Sequence, residues 1–161
     1  MRSLSPLEAA FGVAVLGSVL AATVPAFINN LHASRLVEPM DGLNRIATRA
    51  TWLAAGQSAE YAYPESVELT PKEVPKGVSV TDPPGTWEHP TWRRLQFEWT
   101  VEHSFSFAFE SEAKPGVAVF RATAHGDLDG DGLYSTFEIR GLTHDGGEPK
   151  VLPMNIYREL E

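Results

Sequence analysis

The residues of this chain best suited to chemistry are Asp127, Asp129 and Asp131, placed at alternate positions in Asp127-Leu128-Asp129-Gly130-Asp131-Gly132-Leu133-Tyr134-Ser135-Thr136-Phe137-Glu138. The run matches the calcium loop of about twelve residues at its first, third, fifth, sixth and last places. Calcium takes about six to eight hard oxygens. The three aspartates supply carboxylates, the Leu133 carbonyl adds another oxygen, and Glu138 could chelate with two more. Gly132 permits the sharp bend between them. The metal set read from the sequence is therefore Asp127, Asp129, Asp131, Leu133 and Glu138, with Ca2+ as the cofactor. The plainer reading is a hairpin tip, since Asp-Gly is a favoured turn dipeptide. Against it, three carboxylates so close together repel one another, and a turn needs only one of them. The flanks look like strands, so Glu138 is the ligand an extended chain most easily carries away.

Other chemistry finds little support. His32, His89, His103, His125 and His144 are scattered with no metal-ligand spacing. No Gly-x-Ser-x-Gly elbow or phosphate loop occurs, and no pair of carboxylates is set for acid and base work, so the chain does not read as an enzyme. It has no cysteine, which excludes disulfides, thiolate metal sites and cysteine nucleophiles. Thirteen Lys and Arg against 21 Asp and Glu give a net charge of −8. No basic run exceeds Arg93-Arg94, so binding to a phosphate backbone is not expected.

The 161 residues allow one ordinary domain, and the charge is unevenly spread. Only Arg2 and Glu8 are charged within the first 30 positions. From Ala9 to Ile28 runs a stretch of 20 residues without a charge. As a helix it spans about 30 Å, the thickness of a bilayer core. A cleaved secretory signal would have a shorter apolar region of about 7–15 residues behind a basic start. Leu36, Met40, Leu43, Ala47, Ala50 and Ala54 continue at spacings of three and four, which predicts a helix over 4–55, apolar at 9–28 and amphipathic at 29–54. Ser5-Pro6-Leu7-Glu8 marks its start with an N-cap, a proline and a capping-box carboxylate. Pro25, Pro39 and Gly42 are points where it should bend.

After the helix comes a connector over 56–92, rich in proline and glycine, with one short strand at Val78–Val80. Leu95, Phe97, Trp99 and Val101 then alternate with polar residues, as do Phe105, Phe107 and Phe109. With Val117–Ala124 and Leu133–Arg140 these predict half-buried strands. The expected fold class is α+β: a long N-terminal helix, apolar in its first half, packed on a small antiparallel sheet of about four strands within a body over 56–161.

Glu8, Gly17 and Pro25, with Leu-Ala-Ala-Thr-Val-Pro-Ala-Phe around the proline, resemble the N-terminal segment of type IV pilins and pseudopilins. The resemblance continues through Arg35-Leu36-Val37-Glu38, Leu43-Asn44-Arg45-Ile46, Pro90-Thr91-Trp92 and the acidic loop, and is nearest to pilin-like proteins of deltaproteobacteria. It implies a filament subunit, a homo-oligomer or a partner of other pilins, held in the inner membrane by 9–28 before extraction into an extracellular filament. It also implies a prepilin peptidase and an assembly machinery as partners. By the family's spacing the cut falls between Ser3 and Leu4, releasing residues 1–3 as a leader and exposing Leu4 for methylation. Ser3 stands where the family usually has Gly, and Leu4 where it usually has Phe. Glu8 would pair with the new amine of a neighbouring subunit. The alternatives are a minor pseudopilin of a type II secretion system and a membrane-tethered calcium module that never polymerises.

Overall fold

The computed structural model describes residues 6–157, except for the side chains of 8, 9, 20, 22 and 24–35. In order, its elements are α1 (Pro6–Ala54), a 3-10 turn (Ala59–Tyr61), β1 (Val67–Thr70), α2 (Pro90–Leu95), β2 (Phe105–Lys114), β3 (Val117–Gly126), β4 (Ser135–His144), β5 (Lys150–Val151) and β6 (Asn155–Tyr157). The chain forms two compact units, Met1–Arg35 and Leu36–Glu161, and α1 contributes to both.

The second unit is built on an antiparallel sheet in the order β1-β2-β3-β4-β5, with β6 also paired to β4. β2, β3 and β4 are long strands in unbroken register, from Phe105 opposite Gly126 to Lys114 opposite Val117, and from Val117 opposite His144 to Gly126 opposite Ser135. The period of two places Phe105, Phe107 and Phe109 of β2, Phe120, Ala122 and Ala124 of β3, and Phe137 and Ile139 of β4 in the core. Leu43, Ile46, Ala47, Ala50 and Ala54, at spacings of three and four on α1, join the same core, as do Trp92 and Leu95 of α2. Gly42 is the point of closest approach, since a Cβ there would meet the Phe107 ring. Only glycine fits between that ring and the helix backbone.

The expected architecture is corrected. The sheet has six strands and not about four, a 3-10 turn precedes β1 and the short α2 lies between β1 and β2, and the pilin arrangement of one apolar helix on a four-stranded sheet does not describe it. Among the described residues no helix is long and apolar enough to cross a membrane. Many side chains of the 9–28 run lie outside those residues.

Two strand expectations are also corrected. Leu95–Val101 is not a strand: Leu95 closes α2, and Gln96 ends that helix in the left-handed conformation at φ 50°. The helical turn wins because His89 Nδ1 accepts from the Thr91 N–H, Pro90 occupies the first helical position, and Trp92 and Leu95, three apart, are both buried. Val101, by contrast, is 62% exposed. Val78–Val80 contributes only an isolated bridge from Val80 to His103. The connector instead supplies β1, an edge strand whose pairing with β2 is irregular between Val67 and Thr70.

Tyr63 illustrates how tightly the core closes. Its ring meets Phe120 edge-on at 5.1 Å, and among the described residues its hydroxyl is buried without a partner. Burial pushes its pKa up to about 12. Above about pH 10 the unfolded tyrosine loses a proton that the native one retains, so stability should fall as pH rises from there toward the folded value. Tyr63→Phe should change stability at pH 8 by no more than about 1 kcal/mol. It should also remove part of the alkaline loss, as urea unfolding at neutral and alkaline pH would read.

Candidate metal site

The acidic loop joins β3 to β4 and is built by its own side chains. The Asp127 carboxylate accepts from the Gly130 N–H at 2.8 Å through Oδ1 and from the Gly132 N–H at 3.1 Å through Oδ2. Asp129 accepts from the Asp131 N–H at 3.1 Å, and Asp131 from the Leu133 N–H at 2.7 Å. Gly130 and Gly132 turn the chain with φ of 83° and 91°, a region costly for side chains with a Cβ.

The loop is also anchored from outside. Leu128 is buried in the core. The Gly77 N–H of the connector donates to the Asp127 carbonyl at 2.7 Å, and Lys76 and Asp127 form a parallel bridge. At the base of the hairpin, His125 Nδ1 lies 2.9 Å from Thr136 Oγ1, and burial lowers the pKa of this imidazole, favouring its neutral form.

Asp127, Asp129 and Asp131 each bring a carboxylate oxygen within 4.8 Å of the other two, with Asp127 buried and the others exposed. Hard, anionic oxygens on a tight glycine-rich turn suit a hard divalent cation. The two other residues expected in the set stand differently. Leu133 follows directly, its N–H engaged by Asp131 and the residue 44% exposed. Glu138 is not brought to the triad. It lies within β4 opposite Thr123, with Arg140 Nε 2.8 Å from Oε1 and Arg121 Nη1 3.8 Å from Oε2. The extended strand carries it away from the turn.

Compared with known proteins, the chain matches no family model, no curated protein and no solved structure.

The remaining expected positions fall at the N-terminus. Ser3 and Leu4 lie outside the described residues, and Glu8 and Pro25 have helical backbone, with side chains outside those described. Gly17 lies on α1 with open space where a Cβ would be.

Sequence reasoning misses three polar groupings. Glu110, Arg121 and Arg140 stand directly across β2, β3 and β4, and with Glu138 they form a chain of ion pairs. Glu38 of α1 accepts from the N–H groups of Ser104 and Phe105 at 3.0 and 2.9 Å. His103 is buried against Asp82, 21 residues away. Strand register would have signalled the first. The other two involve pairings across the connector that no local pattern encodes.

Proposed function

We propose that this chain is a structural subunit of an extracellular filament of the type IV pilus or pseudopilus class, held in the inner membrane through 9–28 before assembly. The observation that carries this reading is the exposure of Leu7, Phe11, Val13, Val15, Leu16 and Val19, between 46% and 81%. Such a run of large apolar side chains on one helix calls for cover by lipid or by protein. Its polar groups are compatible with that cover. The Ser18 hydroxyl donates to the Ala14 carbonyl at 2.8 Å and the Thr23 hydroxyl to the Val19 carbonyl at 2.9 Å, so neither needs water. At Gly12 and Gly17 an added Cβ would have nothing within 4 Å, which leaves room for a close-packed neighbouring helix.

The likeness of Glu8, Gly17 and Pro25 to the pilin segment points the same way. In that role Glu8 neutralises the terminal amine of a neighbouring subunit inside the apolar core, where an unpaired charge is costly. Glu8→Gln retains most of a helix cap and removes the charge. It should abolish filament assembly while leaving the amount of folded subunit unchanged, as sheared fibres and total subunit would show on one immunoblot. Wild-type fibre yield from the variant would contradict the pairing.

A second observation, the aspartate triad, supports calcium as the ion that pins the β3–β4 loop in a body without disulfides. An ion bound only by the native state adds about 2.7 kcal/mol at 100 times its Kd. Chelator should therefore lower the melting temperature. Asp127→Ala or Asp129→Ala should lower it in calcium and abolish the difference that chelator makes. Glu138→Ala should leave that difference intact, because Glu138 is engaged with Arg121 and Arg140. Identical wild-type melts in calcium and in chelator would return the loop to a plain turn.

A further inference from the structure

We propose that the groove between the second half of α1 and the end of α2 seats carboxylate side chains of a second copy of this chain, with Arg49 as the cation that pairs with them. The groove holds about 310 Å3 and is lined by Asn44, Arg45, Thr48, Arg49 and Gln96. Every one of these side chains can donate a hydrogen bond, and none is a carboxylate. Arg49 lays its guanidinium over the Trp52 ring at 5.6 Å, and among the described residues no carboxylate pairs with it. Arg45 is held in place: it lies over Phe97 at 5.2 Å and Trp99 at 5.5 Å and donates to the Glu98 carbonyl at 3.2 Å. Asp41 approaches it only to 4.0 Å, and both groups are exposed. A planar cation fixed in this way presents its other N–H groups with little ordering left to do on binding.

Gln96 adds an observation of its own. Among the described residues it is the one non-glycine residue with positive φ, at 50°. Glycine would end α2 there without strain, whereas glutamine brings an amide to the groove. Trp52, beside Arg49, is 67% exposed, and tryptophan and arginine together are the side chains that most often anchor an interface. The occupant follows from charge. The chain carries 21 acids against 13 bases, and Glu60, Glu65, Glu68, Glu73, Glu102 and Glu148 are exposed with no cation paired to them among the described residues. Two chains of net charge −8 repel unless a cationic patch on one meets an acidic patch on the other. The groove is such a patch. The inference rests on the filament reading, since a contact this small needs the high effective concentration of copies that a polymer supplies.

The test uses the full chain in cells. Because the sequence has no cysteine, Thr48→Cys creates a single attachment point in the groove for a benzophenone photo-cross-linker. Illumination of intact fibres should join the groove to another copy of this chain, through a peptide that carries an exposed Asp or Glu. Arg49→Glu should lower fibre yield at least about tenfold with the amount of folded subunit unchanged, and Arg49→Lys should lower it far less. Changing the mapped acid to Arg should restore fibres to Arg49→Glu. Undiminished fibres from Arg49→Glu, or no rescue by the reversed acid, overturn the contact. Should Arg49→Glu not fold, the cross-link decides: label joined only to an anionic polysaccharide, to a different protein or to nothing overturns it. Wild-type fibres with no joined copy overturn the contact alone, whereas fibres that lack this chain altogether overturn the filament reading and the contact with it.

Discussion

Leu16→Asp should abolish filament assembly and leave the body folded. Leu16 is 67% exposed on α1, among neighbours of the same character. If copies cover that surface with one another, an aspartate there must either enter an apolar core unpaired or hold the helices apart. Burying a lone carboxylate costs several kcal/mol even after relaxation. The same cost recurs at every subunit of a polymer. The expected result is a fall in fibre yield of more than about 100-fold, since each 1.4 kcal/mol lost per contact is about tenfold in association. Leu16 belongs to the unit Met1–Arg35, and among the described residues the core cluster of the second unit is made of Leu36 and residues after it. Circular dichroism and the thermal transition of the body should therefore be unchanged, which separates failed assembly from failed folding.

Trp92→Ala should be the most damaging single change to the body. Trp92 is fully buried, its indole N–H donates to Thr70 Oγ1 at 2.9 Å, and it packs against both Trp87 and Phe97. Truncating a buried tryptophan to alanine costs about 3–5 kcal/mol, from lost transfer energy and the cavity left behind. A domain of this size is stable by about 5–15 kcal/mol, so the variant should be largely unfolded in modest urea. Trp92→Phe should recover most of the loss. Its remaining deficit, about 1 kcal/mol, would measure the hydrogen bond to Thr70, which ties β1 to α2. Urea unfolding of the three proteins at one pH provides both numbers.

The local periodicities are legible in the sequence. Leu43, Ala47, Ala50 and Ala54 stand out by spacings of three and four, and Phe105, Phe107 and Phe109 by alternation, and all are buried. Both are patterns that one segment reveals without its partners. The connector misleads where two patterns overlap. Leu95 and Phe97 fit an alternating strand, yet Trp92 and Leu95 also fit a helical turn, and the proline and histidine before them favour the turn. β1, β5 and β6 run to only two to four residues, too short to show a period, and exist because the long strands offer them edges. This is also why periodicity alone counts the sheet short.

The aspartate triad is legible because its three members lie within one turn, so their sequence spacing nearly fixes their separation in space. Glu138 is not, because its position depends on where β4 begins. In the twelve-residue loop the last ligand returns on a helix, whereas here Ser135 already pairs with Gly126 and the strand runs on past Glu138. The buried His103–Asp82 pair has no signature at all, since the two residues meet only when the connector folds back along the segment before β2.

The proposed function has α1 covered by copies of itself in a filament. It is tested most directly by electron microscopy of fibres sheared from cells expressing the chain, with peptide identification of the purified fibres. Fibres containing this chain as a stoichiometric component, absent when the gene is deleted and absent for Leu16→Asp, are the expected result. Fibres of normal number and form that lack the chain, with the protein recovered only as a monomer from the cells, would contradict it.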